Sequence, residues 1–265
     1  MRSLLLQSAP FRSPALQGGG LRLLAASATQ ALVARMSSPP SASRVDAIFA
    51  LILALMDAGV WSKLDLLHVL AAHHEQASRL NWIGSIYDLA AYNSPTFAID
   101  RGWLGGSTAW MDAVGYNPST TASRLTLNDA SLGLWVLTPS AGTGIDLYAG
   151  SGWMARRNTG LDWHYRVCDG TSSFGQPGDT PGFYVGSRSD AAAKRLFKNG
   201  AQIAAHNIAS TVPLNRLNIL GQAGGNYSTV ELAVVLAGAS LTDAQHAALY
   251  AAIRTYLLAV GAIVA

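Results

Sequence analysis

Turn-forming residues interrupt the chain at regular intervals from about Leu80 onward. Glycine, asparagine, proline or aspartate recurs there every 8–12 residues or so, roughly the spacing of an antiparallel sandwich or barrel. The intervening segments predict strands near 96–100, 108–112, 131–138, 145–149, 152–156, 163–167, 182–188, 193–198, 201–206, 215–220 and 229–236. Residues 81–240 are therefore expected to form a mainly β domain.

The segment KRLFK-Asn199-Gly200-AQIAA carries the strongest single turn signal. Both central residues of a two-residue hairpin turn need a positive φ, which asparagine and glycine adopt most readily. The segments on either side alternate in polarity, as strands do. This pattern predicts two adjacent antiparallel strands joined by a tight turn.

The composition is apolar and poor in glutamate. Of the 265 residues 50% are hydrophobic and 12% are charged, so either the surface is rich in uncharged polar residues or apolar surface is buried between subunits. The only glutamates among 15 acidic residues are Glu75 and Glu231, whereas helix-rich proteins use glutamate on helix surfaces. The net charge of +3 is spread without a basic run, so no nucleic-acid-binding face is expected.

Residues 1–36 are predicted to form an N-terminal arm or extension that orders against another surface. Pro10, Pro14 and Gly18-Gly19-Gly20 are expected to interrupt any long element, leaving a short amphipathic helix over 21–36. Met36 is an alternative start of the chain, and in that case the residues before it are an upstream extension.

Residues 37–80 are predicted to form a helical hairpin, buried against the sandwich or a neighbouring subunit. Ser43 opens a capping-box-like pattern, and Gly59 suits the position just after a helix end. A second pattern of the same kind at Ser62 precedes LDLLHVLAAHH, which we interpret as the second helix. Both segments are almost entirely apolar, which is the reason for expecting the hairpin to be buried.

Residues 241–265 are predicted to form a C-terminal helix packed on the sandwich. Thr242 and Gln245 have the spacing of a capping box, and an apolar stripe runs from Leu249 to Val260. The apolar stretches of the chain fall short of the roughly 20 residues that a membrane-spanning helix needs. Neither a membrane span nor a secretion signal is expected.

Three runs in the β-rich region resemble concanavalin A-like (LamG-type) jelly-roll domains of lectins and glucanases. They are FYVGSR at 183–188, RLFKNG at 195–200 and NILG at 218–221, followed by the closing LTDAQ helix. The resemblance implies an antiparallel jelly-roll β-sandwich with the helical hairpin before it and the C-terminal helix after it. Because this fold serves many roles, the resemblance is specific for architecture and weak for function.

From Ala34 to the C-terminus the chain also resembles proteins of tailed bacteriophages and prophages, in which a short helical pair precedes a lectin-like sandwich. The resemblance implies a non-enzymatic structural component of a virion, in a tail fibre, a baseplate or a head decoration. The partners it implies are other virion proteins, further copies in a homo-oligomer, and a host surface glycan. The location it implies is the virion.

A carbohydrate-binding, lectin-like module is the alternative function, and it is compatible with a virion role. Sugar rings stack on exposed aromatic faces, while aspartate oxygens accept hydrogen bonds from sugar hydroxyls. The candidate glycan contacts are Trp153, Asp162, Trp163, Tyr165 and Asp169. The competing interpretation is that these aromatics fill the sandwich core.

A glycoside hydrolase on the same fold is the third hypothesis. It requires two carboxylates about 5–10 Å apart, which the isolated Glu75 and Glu231 do not supply, although pairs of aspartates stay open. The sequence contains no G-x-S-x-G, P-loop or H-E-x-x-H motif. We therefore expect a protein that is not an enzyme.

Neither a metal nor a cofactor is expected. Cys168 is the only cysteine, which excludes an intrachain disulfide and a cysteine-based zinc site and favours a buried thiol. His73 and His74 are adjacent, so on a helix their side chains diverge and do not share a metal ion. No dense Asp/Asn loop of the calcium-binding kind occurs.

Overall fold

The computed structural model describes residues 14–139, 144–156, 162–171, 173–177 and 181–264, with the backbone alone at 14–18, 155–156, 162–163 and 173–177. The helices are α1 (Pro14–Val33), α2 (Ala42–Asp57), α3 (Glu75–Ser78) and α4 (Asp243–Ala259), with a 3-10 turn at Trp61–Lys63. The strands are β1 (Leu64–Val69), β2 (Leu89–Tyr92), β3 (Thr96–Ala98), β4 (Gly102–Leu104), β5 (Trp110–Ala113), β6 (Ala130–Thr138), β7 (Leu147–Tyr148), β8 (Trp153–Arg156), β9 (Asp162–Arg166), β10 (Ser173–Pro177), β11 (Gly182–Arg188), β12 (Ala193–Lys198), β13 (Ala201–Asn207), β14 (Asn218–Ile219) and β15 (Glu231–Gly238).

In the described ranges these strands form two antiparallel sheets. The first has eight strands in the order β13-β12-β11-β6-β15-β4-β3, with β1 also paired to β15. The second has seven strands in the order β10-β9-β8-β7-β14-β5-β2. The prediction of a mainly β antiparallel sandwich with N-terminal helices and a C-terminal helix is confirmed.

An apolar core separates the two sheets. Successive side chains of a strand point to opposite faces, so alternate residues of each sheet meet in the middle. Among the fully buried residues there are Leu132, Leu134 and Val235 from the first sheet and Met111, Leu147 and Met154 from the second. Each buried side chain of this size stabilises the fold by about 1.5–3 kcal/mol relative to exposure.

Helices α2 and α4 cover the other face of the first sheet, and α1 packs on α2. Trp135 and Phe183 point from the sheet into this second core, where they meet helical residues such as Ile52 and Ile253. Strands β6, β11 and β15 are therefore buried on both faces, which explains why their sequences are apolar almost without interruption. No helix in the described part of the chain is long and apolar enough to cross a membrane.

The prediction of a second helix in the N-terminal hairpin is wrong. Residues 64–69 form β1, which pairs antiparallel with β15 from Leu64 opposite Gly238 to Val69 opposite Val234. All six residues are buried, so the strand shows no alternation of polarity. A short apolar run of this kind fits a fully buried strand as well as a buried helix. The segment 37–80 thus contributes a strand to the sandwich.

A helical pair exists, but α1 and α2 form it. The run Gly18-Gly19-Gly20 lies inside α1, contrary to the expected break. Each glycine costs a helix about 1 kcal/mol relative to alanine, and the burial of Ala25 and Leu32 in the helical core offsets that cost. Helix α2 corresponds to the predicted first helix of the hairpin, and it begins after Ser41. The Ser41 hydroxyl accepts from the Arg44 amide at 3.3 Å, so the predicted cap at Ser43 is two residues late. Residues 1–13 of the predicted arm lie outside the described residues.

Two other local predictions are confirmed. Asn199 and Gly200 have φ values of 50° and 81°, and they join β12 to β13 as a two-residue turn. Thr242 caps α4, with its hydroxyl accepting from the Gln245 amide at 3.2 Å while the Gln245 side chain accepts from the Thr242 amide at 3.1 Å. Both patterns depend only on residues close together in the sequence, so they do not depend on how the rest of the chain folds.

Candidate functional site

The outer face of the second sheet presents polar and aromatic side chains. In β5, Met111 and Ala113 point into the core between the sheets, whereas Trp110 and Asp112 alternate with them and are only partly buried. Strand β8 repeats the pattern, with Met154 in the core and Trp153 partly exposed. The helices cover the first sheet, so this outer face is the broad sheet surface left for a ligand.

Five of these side chains lie in one row across the strands, which we call the cross-sheet row. Backbone pairing places Asp112 opposite Asn218, Asn218 opposite Tyr148, Tyr148 opposite Trp153, and Trp153 opposite Arg166. Because neighbouring strands lie about 4.8 Å apart, the row extends about 19 Å across the sheet. It begins with a carboxylate, continues through an amide and two aromatic rings, and ends with a guanidinium group.

Two guanidinium groups and a histidine ring lie against the aromatic part of the row. The Arg166 guanidinium lies 5.3 Å from the ring centre of Trp153, and that of Arg216 lies 6.0 Å from the ring centre of Tyr148. The His164 ring stacks on Trp153 with centroids 6.0 Å apart and 28° between the planes. The two guanidinium distances are those of cation–π contacts, which hold flexible side chains in place over a ring.

A groove of about 450 Å³ opens at the carboxylate end of the row. Its walls include Trp110, Asp112, Tyr116, Arg216 and Asn218. The volume falls within the range of small-ligand sites, and the lining combines aromatic surface with a few polar groups. A sugar unit entering this groove would meet both an indole and hydrogen-bonding side chains.

Asp112 and Asn218 form the polar floor of the groove. The Asn218 amide donates to Asp112 Oδ1 at 2.6 Å. Partial burial raises the pKa of Asp112, although this hydrogen bond and the nearby Arg216 act in the opposite direction. Asn218 is 2% exposed, and its Oδ1 has no hydrogen-bond partner among the described atoms.

Asp65 of β1 holds the loop that forms one wall of the groove. Its carboxylate accepts from the Ser123 hydroxyl at 2.5 Å, the Tyr116 hydroxyl at 3.2 Å, and the amides of Arg124 and Leu125 at 2.9 and 3.0 Å. Burial, aided by this carboxylate, raises the pKa of Tyr116, so the phenol stays a neutral donor. Sequence patterns placed Asp65 in a helix cap and missed its actual role.

The structure separates the five predicted glycan contacts. Trp153 lies on the outer face, in the cross-sheet row. Tyr165 is fully buried between the sheets, and Asp169 is fully buried as well. Asp162 and Trp163 belong to β9, but their side chains lie outside the described residues. Tyr165 and Asp169 are therefore not exposed on the outer face, contrary to the expectation that they contact a glycan, because their side chains point into the interior.

Asp169 instead forms the centre of a buried ionic cluster. It pairs with Arg188 at 3.1 Å and with Lys194 at 3.0 Å, and all three side chains are fully buried. Arg188 also donates to the carbonyl oxygens of Val167 and Ala191, at 2.7 and 3.2 Å. These bonds tie the end of β9 to β11 and β12, which makes Asp169 a structural residue.

The reactive groups considered in the sequence are also held in structural contacts. Glu231 accepts from Arg101 at 2.7 and 2.6 Å and from Thr138 at 2.6 Å, and the bond from Arg101 lowers its pKa. A carboxylate held in this way does not serve as a general acid. Burial raises the pKa of the Cys168 thiol to about 11, so the nucleophilic thiolate is scarce at neutral pH.

Sequence reasoning missed most of the outer-face residues. Trp110, Asp112, Tyr148, Arg216 and Asn218 come from segments far apart in the chain, and only the pairing of β5, β14 and β7 brings them together. The local alternation Trp110-Met111-Asp112-Ala113 indicates a two-faced strand. It does not indicate which strand lies beside it.

No protein-family model matches the chain, and no curated protein matches it. Solved structures do match. The binding domain of botulinum neurotoxin serotype D has 11% identity and a TM-score of 0.53, over 72% of this chain and 52% of that one. The binding domain of Paraclostridial mosquitocidal protein 1 has 11% identity and a TM-score of 0.52, over 72% and 52%.

A Trypanosoma rangeli sialidase in complex with 2,3-difluorosialic acid is also similar, with 11% identity and a TM-score of 0.52, over 78% of this chain and 38% of that one. The chain thus spans about half the length of each of the two binding domains, 52% in both cases, and 38% of the sialidase. At this identity the similarity establishes a shared β-sandwich fold.

Proposed function

We propose that this protein binds carbohydrate through the outer face of its second sheet. The observation that carries the proposal is the cross-sheet row, in which Tyr148 and Trp153 lie between Asp112 and Arg166 on the sheet face opposite the helical layer. Sugars offer apolar ring faces and polar hydroxyl edges, and a row of this composition complements both.

The placement of the aromatics supports this proposal over core packing. Trp103 is buried between the sheets and Trp135 in the helical core, whereas Trp110 and Trp153 remain partly exposed beside charged groups. Apolar rings held at a surface next to a carboxylate, an amide and guanidinium groups are typical of a ligand site.

The proposed role is binding without catalysis. Within the described residues, Asp112 is the carboxylate of the cross-sheet row, and Glu231 is held by Arg101 and Thr138 on the first sheet. Hydrolysis of a glycosidic bond uses two carboxyl groups flanking the bond. A single half-buried carboxylate is suited to accepting hydrogen bonds from hydroxyl groups.

The test is a glycan array probed with the full chain, followed by titration calorimetry on the best ligand. Trp153→Ala should weaken binding about threefold to tenfold, the loss expected for one aromatic contact. Phe49→Ala is the matched control, because Phe49 is also a partly exposed ring with an arginine over it, Arg22 at 5.6 Å, but lies in the helical layer. Absence of binding to every glycan, or equal effects of both variants, would refute the proposal.

We also propose that the protein is a homo-oligomeric virion component. The sequence resemblance to tailed-phage proteins carries this proposal, and exposed apolar side chains on α1 favour it, since Leu23 and Leu24 are 74% and 60% exposed. Light scattering should give a defined oligomer that Leu23→Ser together with Leu24→Ser dissociates. Mass spectrometry of purified particles should detect the chain, and its absence there would remove the virion role.

A further inference from the structure

We propose that the glycan recognised by the cross-sheet row is acidic, and that its carboxylate binds the Arg216 guanidinium above Tyr148. This inference rests on the proposed carbohydrate-binding function and adds the chemical class of the ligand.

The two guanidinium groups lie over neighbouring rings. Tyr148 and Trp153 are directly opposed on β7 and β8, so their Cβ atoms lie about 4.5–5.5 Å apart. Arg216 covers the first ring at 6.0 Å and Arg166 the second at 5.3 Å. The outer face therefore concentrates positive charge over its aromatic centre.

Arg216 differs from two arginines elsewhere in the protein that pair with carboxylates. Arg44 pairs with Asp100 at 2.6 Å, and Arg101 pairs with Glu231 at 2.6 Å. Arg216 is exposed and forms no ion pair with a carboxylate in the described ranges; its Nε donates to Asn215 Oδ1 at 3.2 Å. Its two terminal nitrogens make no hydrogen bond within the part of the chain that the structure describes, and the group lies over the Tyr148 ring.

A carboxylate is the ligand group that this arrangement fits. The planar guanidinium fork matches the two oxygens of a carboxylate, and such charge-assisted pairs are stronger than bonds between neutral groups. Asp112 lines the same groove as Arg216 and would accept hydrogen bonds from hydroxyl groups of the ligand. The acidic group of the sugar unit is therefore placed at Arg216, and its hydroxyl groups beside Asp112.

The experiment compares acidic polysaccharides with uncharged versions of the same backbones. Polygalacturonate, alginate, hyaluronate and polysialic acid are each titrated calorimetrically beside their carboxyl-reduced derivatives, at low ionic strength. At least one acidic polymer should bind on the order of tenfold more tightly than its reduced form, as the loss of a charge-assisted bond implies.

Variants of the full chain identify the residues responsible. Arg216→Gln should weaken binding of the acidic polymer on the order of tenfold, and Arg216→Lys should recover part of that loss because it keeps the charge without the planar fork. Arg22→Gln is the matched control, because Arg22 is also exposed and lies over a ring, Phe49, in the helical layer. It should leave binding unchanged.

Each outcome distinguishes the two proposals. Equal or tighter binding of the reduced polymers would overturn the acidic preference and leave carbohydrate binding intact. Equal affinities of Arg216→Gln and Arg22→Gln would overturn the assignment of Arg216. Failure of the acidic polymers, the reduced polymers and the neutral glycans of the array to bind would remove the proposed function itself.

Discussion

The indole of Trp110 lies parallel to the phenol ring of Tyr92, with ring centroids 4.3 Å apart and 9° between the planes. The two residues are directly opposed on β5 and β2, at the edge of the second sheet. The stack fixes the orientation of Trp110 where it lines the groove beside Asp112. The aromatic surface of the outer face thus continues past the carboxylate end of the cross-sheet row.

Removal of the indole should weaken glycan binding at this end of the row. Trp110→Ala should lower affinity about threefold to tenfold, whereas Trp110→Phe should retain most of it, since a smaller ring still stacks on Tyr92. Titration calorimetry with the best array ligand measures both variants. If Trp110→Phe binds as weakly as Trp110→Ala, the contact depends on the indole N–H and the stacking argument is wrong.

The carboxylate of Asp65 should control both stability and the groove wall. Asp65→Ala leaves the Tyr116 hydroxyl and the amides of Arg124 and Leu125 without their acceptor, so the free energy of unfolding should fall by about 2–4 kcal/mol. Urea unfolding measures this loss, and hydrogen exchange of the two amides should accelerate. Asp65→Asn keeps one acceptor oxygen and should cost less, and an equal cost would contradict the hydrogen-bond explanation.

The buried cluster around Asp169 should be far more sensitive than a surface ion pair. Asp169→Asn leaves Arg188 and Lys194 buried without their counter-charge, which should lower the free energy of unfolding by about 3–5 kcal/mol. The matched control is Asp243→Asn, whose pair with Arg195 spans 3.5 Å at the surface. It should cost about 1 kcal/mol or less. Similar losses in the two variants would show that burial does not govern the cluster.

Two buried histidines should make the free energy of unfolding decrease as the pH decreases. Burial lowers the pKa of His68 and of His246 to about 4 in the folded protein, below the ordinary value of 6.5. Above pH 6.5 both states are neutral; as pH falls towards 4, only the unfolded chain takes up the proton. Each histidine should therefore destabilise the fold by about 2 kcal/mol between pH 7 and pH 5.

A variant separates this contribution from that of other groups. His246 stacks on Phe197 with ring centroids 3.6 Å apart, so His246→Phe keeps an aromatic ring there and removes the titrating group. The drop in unfolding free energy between pH 7 and pH 5 should shrink by about 2 kcal/mol, as measured by urea unfolding at the two pH values. An unchanged drop would mean that His246 does not contribute.

Local signals predicted much of the β-rich part of the chain. The predicted ranges 182–188 and 193–198 coincide with β11 and β12, because turn residues bound both strands and Asn199-Gly200 fixes the connection. The prediction of a helix at LDLLHV was wrong because the conformation of this segment depends on its pairing with β15, which is distant in sequence. A buried strand and a buried helix look alike in sequence until a partner strand is known.

The candidate site was predictable only in part, for a reason visible at β9. A strand period of two puts Trp163 and Tyr165 on one face, and of these two side chains the structure describes that of Tyr165. It does not indicate whether that face meets the core or solvent, and Tyr165 turns out to face the core. The cross-sheet row needs the registers of five strands at once, and those registers are set by tertiary pairing.

The pairing of β1 with β15 bears on how the chain folds during synthesis. Leu64 pairs with Gly238, so β1 is synthesised long before β15, the strand with which it pairs. Contacts this distant in sequence slow folding, because the loop between them must close first. Until then the apolar LDLLHV segment has no partner strand, and it is prone to aggregate unless the helices or a chaperone cover it. A ribosome stalled before β15 would release a chain with an incomplete first sheet.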